Sequence, residues 1–474
     1  MSGPRPAGLG ARLAAVAVAA CVALTWPTGT AAAITPPVID PGAVPPGGPP
    51  GPDPGQEMEQ AYECPASGLL PDTDVAAVPP SQAFMNIPAL WKSAGRGAGV
   101  TVAIIDTGVW PSHRLPRLRG GGDYVMGGDG LRDCDTHGTV VAAIIGASSA
   151  EGDALVGVAP EADLISIRQS SGMFKRQRPS GNADDARAGT VATLARAIVE
   201  AANAGAQVIN MSIVACVPVL KPVDQTTLGA AIRYAAVEKN AVLIAAAGNV
   251  NANAGGPIGS GCSQNPNIDA TNAEDPRNWG GVVTISTPSW FSDYVLSVSA
   301  TDATGQPALN TQGQDISLAG PWVGVGAPGV FVEGLNEHGD LINGTFDPKT
   351  ASLQPMSGTS FSAAYVSGLA ALIRAKYPDL PAAQVINRIK QTAHSPAAII
   401  DNRIGHGVID PLAALNFDVP AIPPVKENLS RPLGPPPPPP PVDQRPMVIA
   451  LVGTSAAVFT LAVVLAVTSM SRRR

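Results

Sequence analysis

Three short segments carry residue types that together can run nucleophilic acyl transfer. Asp106-Thr107-Gly108 follows the apolar run Val100-Thr101-Val102-Ala103-Ile104-Ile105. An ionised carboxylate at the carboxyl end of a buried strand is costly unless a partner compensates it, and α/β folds place their sites at that edge. Asp135-Thr136-His137-Gly138-Thr139 precedes a run of small residues that reads as helix. An imidazole there titrates near neutrality, which suits general-base work. Ser357-Gly358-Thr359-Ser360 opens a further helical stretch that runs to Lys376. A serine at a helix N-terminus has free backbone N–H groups beside it, which can stabilise an oxyanion. Each segment also has a plainer reading: Asp106 as a turn residue, His137 as a loop histidine, Ser360 as a helix cap.

The elements that position these segments read as α/β. From about Ser81 to about Ala414, short β-branched runs alternate with Ala-rich stretches, the pattern of a parallel sheet covered on both faces. Strands are expected at residues 100–105, 164–167, 208–212 and 242–246. Helices are expected at 139–146, 191–204, 226–238, 360–376 and 382–393. Residues 169–189 are polar and rich in basic side chains, which reads as an exposed loop. Residues 251–279 form a second long polar insertion.

Order, spacing and flanks of the three segments resemble the subtilisin family, whose triad runs Asp, His, Ser along the chain. The resemblance covers residues 81 to about 414. It implies a three-layer subtilisin-like α/β fold with a mostly parallel central sheet. It makes Ser360 the nucleophile, His137 the base and Asp106 the residue that orients it. Gly157-Val158-Ala159-Pro160 is similar to the family's turn after the histidine helix. Ala246-Ala247-Gly248-Asn249 is similar to the segment whose asparagine amide joins the serine's backbone N–H in the oxyanion hole. By the same resemblance Ser212, Ile213, Val214 and Ala215 line one side of the pocket for the residue before the scissile bond. Ala245, Ala246, Ala247 and Gly248 line another. There are departures: Ala364 stands where the family has proline, and Ala143 where the histidine helix has glycine. The pocket strand Ser212-Ile213-Val214-Ala215-Cys216 replaces a Gly-rich edge and implies a narrower specificity than a digestive enzyme has.

Composition limits the alternatives. The chain has 474 residues, 45% hydrophobic and 14% charged, with a formal net charge of −7. That excludes a charged disordered protein and gives no basic surplus for nucleic acid. His113, His338, His394 and His406 show no metal-ligand spacing with each other or with cysteine. No compact run of carboxylates demands calcium, so no cofactor is expected.

Both ends carry export signals. Arg5 and Arg12, an apolar run at residues 13–24 and Ala31-Ala32-Ala33 read as a signal peptide over residues 1–33. Residues 34–80 are Pro/Gly-rich, an extended arm or a disordered leader, with Cys64 available to pin it to the body. The protease domain takes residues 81–415, and a linker at 416–446 contains the proline run 435–441, a stiff spacer. Residues 447–470 contain no charge. As a helix they extend on the order of 36 Å, enough for a hydrocarbon core of about 30 Å. Arg472, Arg473 and Arg474, in the tail 471–474, place the C-terminus in the cytoplasm and the rest outside. Cys21 leaves with the signal, and Cys64, Cys134, Cys216 and Cys262 remain. An even number in an exported chain suggests two disulfides, for which sequence alone allows three pairings.

A mature start at Ile34-Thr35-Pro36-Pro37, a subtilisin-like domain with four cysteines, a Pro-rich spacer and a C-terminal span together resemble the mycosins, serine proteases of type VII secretion systems. That resemblance implies the pairs Cys64–Cys134 and Cys216–Cys262. It also implies an N-terminal arm wrapped on the body, exported protein substrates, and membrane components of the secretion complex as partners. A different class of function is compatible with the same features: a docking subunit of that complex in which proteolysis is dispensable.

Overall fold

The apolar runs become the central sheet. A computed structural model of the chain describes residues 34–178, 187–221, 223–250, 262–347, 350–421 and 445–471. The expected signal peptide, most of the linker and the terminal arginines lie outside the described residues. Seven strands lie side by side in the order Val323–Pro328, Val295–Thr301, Val242–Ala246, Val208–Met211, Thr101–Asp106, Asp163–Arg168 and Leu118–Asp123. Every neighbouring pair is parallel.

Both faces of the sheet are dry, which explains why its strands read as continuous apolar runs instead of alternating ones. Val102 and Ile104 point into one core, together with Val242 and Ile244. Ala103 and Ile105 point into the other, together with Leu243 and Ala245. The first core is closed by the helices His137–Gly146, Thr359–Lys376 and Ala382–Gln391, and the second by Val191–Asn203 and Thr226–Arg233. The architecture is three layers, with a fully buried aliphatic side chain such as Ile104 stabilising it by about 1.5–3 kcal/mol. The expected helix 226–238 divides: α-helix ends at Arg233 and a π-helical turn, Tyr234–Glu238, follows.

Two segments expected to be irregular are structured. Residues 169–189 are not simply an exposed loop. Gln169, Ser170 and Ser171 are buried, and Ser171–Arg176 is the middle strand of a small sheet between Met58–Gln60 and Arg187–Ala188. The N-terminal segment is an ordered arm laid along the body. Ile34 packs near Trp279 and the buried Trp322, and Ile39 packs on the second core beside Gly229. Arg196 donates to the carbonyls of Pro49 and Gly51 and pairs with Asp53 at 2.8 Å. Cys64 bonds to Cys134 with their Cα atoms 4.9 Å apart, and Ser67–Gly68 pairs with Gly344–Asp347. Polar groups of the arm thus find partners on the body, which a Pro/Gly-rich composition does not reveal.

The chain divides into two compact units, Met1–Pro423 and Pro424–Arg474. In the second, Arg445–Ser471 is a 27-residue α-helix. Among the described residues no helix is long and apolar enough to cross a membrane. The described side chains of this one are Ser455 and residues 457–471, fewer than a span needs.

Candidate active site

Asp106 is the last residue of the central strand Thr101–Asp106 and is fully buried. Its Oδ1 accepts from the Thr107 N–H at 2.7 Å and from the Thr107 hydroxyl at 3.2 Å, and it lies 2.7 Å from His137 Nδ1. Burial of the carboxylate is thus offset at Oδ1, while the buried Oδ2 has no hydrogen-bond partner among the described residues. His137 opens its helix, and two glycines let it come this close. A methyl group at Gly138 would strike the Gly108 carbonyl, and Gly108 itself turns at φ +100°.

Asp133 holds the start of the histidine helix. One carboxylate oxygen accepts from the Thr107 hydroxyl at 2.7 Å and the Asp135 N–H at 3.1 Å; the other accepts from the Thr139 N–H at 2.8 Å and hydroxyl at 2.6 Å. It therefore takes the capping role that Thr136, at φ +63° and without a side-chain cap bond, does not fill. Thr107 contacts Asp106 and Asp133 alike, so the strand end and the helix start are braced by one hydroxyl. Burial, reinforced by the charge of Asp135, pushes Asp133 up to about 7. Asp135 accepts from the Ser171 hydroxyl and, at 2.8 Å, from the Gly172 N–H, which ties the histidine loop to the small arm sheet. Burial alone would lower the His137 pKa; the adjacent Asp106, with Asp133 and Asp135 behind it, outweighs burial and raises it.

Ser360 is the second residue of the helix Thr359–Lys376. Its hydroxyl donates to the Ser212 carbonyl at 2.8 Å, and Ser212 Oγ lies 2.9 Å from the Ser360 carbonyl. Phe361 follows, its ring 5.4 Å from that of His137. Asn249 comes three residues after the strand Val242–Ala246. Its Oδ1 accepts from the Thr359 N–H at 3.0 Å and hydroxyl at 3.1 Å, which turns the NH2 group toward Gly358. The Gly248 N–H donates to the same Thr359 hydroxyl at 3.2 Å. One strand end, one helix start and a second helix start thus lie at a single edge of the sheet, with the Ser360 hydroxyl bonded to the Ser212 carbonyl and Phe361 linking the serine helix to the His137 ring.

The expected pocket segments flank this centre. Ser212 touches Ser360 directly, Ile213 is buried, and Val214 and Ala215 are half-buried as the chain enters the strand Ala215–Pro218. Ala246, Ala247 and Gly248 lead into Asn249, and Cys216–Cys262, with Cα atoms 5.4 Å apart, backs them: the Cys262 sulfur lies 3.1 Å from where a Gly248 side chain would begin. Asp133, Thr107 and Thr359 were not singled out from sequence. An Asp four residues before His137 could have been found as a cap candidate, whereas the pairing of Thr359 with Asn249, 110 residues away, leaves no local signal. Among the described residues no cluster of three His, Cys, Asp or Glu side chains could hold a metal.

Residues 97–407 match the model of the subtilase family, Peptidase_S8. Mycosin-3 of Mycobacterium tuberculosis is 45% identical over 463 residues, 96% of this chain and 98% of that protein. The chain is a member of the mycosins. This mycosin is accordingly a serine endopeptidase of the subtilase family. Among solved structures, MycP3 protease from the type VII (ESX-3) secretion system superposes with a TM-score of 0.74 at 46% identity, covering 81% of this chain and 100% of that one. A chain in the intact ESX-5 inner membrane complex superposes with a TM-score of 0.75 at 47% identity, covering 92% and 100%.

Proposed function

We propose that this chain is a membrane-anchored endopeptidase of a type VII secretion system that cleaves exported protein with an Asp106–His137–Ser360 triad. The observation that carries the triad is the 2.7 Å contact between His137 Nδ1 and Asp106 Oδ1, at a site where Ser360 and Asn249 share one helix start. Asp106 fixes the imidazole with Nε2 free. Ser360 Oγ attacks the scissile carbonyl as Nε2 takes its proton, and the Asn249 NH2 and Ser360 N–H hold the oxyanion. His137 then protonates the leaving amine, and water, deprotonated by the same ring, releases the acyl group. The full-length chain in detergent should react with a fluorophosphonate, and Ser360→Ala should not. Absence of labelling in the folded unmodified protein would reject the reading.

The order of segments in this reading is signal peptide 1–33, arm 34–80, protease domain 81–415, linker 416–446, span 447–470 and cytoplasmic tail 471–474. The uncharged stretch 447–470 and the 27-residue helix containing it support the anchor. Resistance of the full-length chain to alkaline extraction from membranes, lost on truncation after residue 446, tests it.

A second reading is favoured by a specific likeness, that to a chain in the ESX-5 inner membrane complex. In it the protein serves mainly as a docking subunit. A deletion strain complemented with Ser360→Ala separates the two: restored secretion places the essential role in docking.

A further inference from the structure

Among the described residues, three β-branched or aromatic side chains sit on a backbone of positive φ: Thr136 at 63°, Phe331 at 50° and Ile399 at 67°. Such residues resist that conformation, and where they persist the strain marks function more often than accident. Thr136 is explained, because it aims His137. Phe331 is not used by the mechanism above, although its N–H bonds to Ser357, three residues before Ser360.

The segment that carries Phe331 is bonded to the approach to Ser360. The Gly358 N–H donates to the Gly329 carbonyl at 2.7 Å, the Phe331 N–H to the Ser357 hydroxyl at 3.2 Å, and the Val332 N–H to the Met356 carbonyl at 3.1 Å. Val330 and Val332 need no strain to make these contacts; the turn falls on Phe331. Its ring is left 65% exposed, while its neighbour Val332 is buried. A little further on, Gly334 lies against Val140 of the histidine helix, so closely that a methyl group would come within 2.7 Å of the valine side chain. The segment 329–334 therefore bridges from the serine elbow to the histidine helix. Asn249 and the pocket segments Ser212–Ala215 and Ala246–Gly248 hold the acyl half of a substrate. His137 must hand its proton to the leaving amine, so that half lies on the histidine side, along the bridge.

We infer that Phe331 is a specificity-determining wall of the leaving-group subsite and selects peptides with an apolar side chain immediately after the scissile bond. This rests on the triad reading above. An exposed aromatic ring on the segment that bridges the serine elbow and the histidine helix offers apolar area with little conformational entropy to lose. Its backbone, pinned by Ser357, keeps the ring presented there instead of folding into the core beneath Val332.

The acyl-enzyme isolates this half of the cleft. The full-length chain in detergent is acylated with a small peptide ester and given competing amines, phenylalaninamide or glycinamide. The amine nitrogen attacks the acyl carbon, the bond to Ser360 Oγ breaks, and the amine proton passes through His137 to Oγ, giving a new amide and free enzyme. The ratio of the two amide products is independent of how much enzyme is active. Phe331→Ala should cut the preference for phenylalaninamide over glycinamide by about tenfold, and Phe331→Tyr should retain it. Ile399→Ala, at an equally strained exposed position on the turn closed by Pro396, should leave the ratio at its original value. An acyl-enzyme whose ratio does not change in Phe331→Ala overturns this inference alone. Absence of any acyl-enzyme in the unmodified protein overturns the triad reading and this with it.

Discussion

Ser360 and Ser212 exchange contacts: the Ser360 hydroxyl donates to the Ser212 carbonyl at 2.8 Å, and Ser212 Oγ lies 2.9 Å from the Ser360 carbonyl. The proposed nucleophile is thus held by the segment after the strand Val208–Met211, and in the proposed mechanism it must leave that carbonyl to give its proton to His137. Ser360→Ala removes one hydrogen bond of the pair and all nucleophilic chemistry. It should lower peptide turnover by roughly a thousandfold or more. Denaturant unfolding should register a loss of only about 1 kcal/mol.

Asn249 is aimed by Thr359, not by its own turn. Asn249→Ala removes the proposed oxyanion donor and should lower kcat by about 100- to 1000-fold with KM little changed. Thr359→Val keeps the N–H bond to Asn249 Oδ1 but loses the hydroxyl bond. Its kcat should fall between those of Asn249→Ala and the unmodified protein; steady-state kinetics on one peptide checks both.

The acid limb of kcat/KM reports His137, which works as a base only when neutral. Because the carboxylates around it raise its pKa above the ordinary 6.5, activity should rise with pH through a midpoint above that value. Asp133→Asn removes one of those charges and should move the limb to lower pH. The same change turns an NH2 group toward donors, so stability should fall by about 1–3 kcal/mol. A shift in stability without a shift in the limb would reduce Asp133 to a structural role.

Glu333 is a carboxylate in an awkward place. It is 8% exposed, its Oε2 accepts no hydrogen bond, and burial with the negative Asp153 nearby pushes it up to about 7. A raised folded pKa means that the unfolded chain ionises first as pH rises. The fold therefore loses stability from about pH 4 to about 7, and the deficit stays constant above that. Glu333→Gln should raise the thermal midpoint at pH 8 by about 2 °C or more and change it little at pH 4, as scanning calorimetry would show.

The proposed triad residues were legible because two of them sit at junctions with strong local signatures. Asp106 ends a run of buried aliphatics, and Ser360 starts a long Ala-rich helix. Chain order and the neighbouring glycines did the rest, since Gly108 and Gly138 are where strand and helix meet. The braces were less legible. Asp133 looks like any loop acid until its four donors are seen to come from Thr107, Asp135 and Thr139. The strand Ser171–Arg176 is polar and basic because one of its partners is the arm, 114 or more residues earlier in pairing with Met58–Gln60, and no periodicity announces so distant a neighbour. The arm itself lacks apolar rhythm because hydrogen bonds and Arg196 hold much of it. Phe331 was invisible, as a residue in that backbone conformation is expected to be glycine.

The bond between Cys64 and Cys134 joins the arm to the loop that carries Asp133, Asp135 and His137. Thiols of this kind stay reduced in a glutathione-rich cytoplasm and close only in an oxidising compartment. In a chain exported as proposed, the covalent brace of the histidine loop is thus unavailable before translocation and forms after it. On that proposal, redox environment is a clock for maturation: the histidine loop gains its final tether where oxidation is possible, away from the proteins of the cell interior.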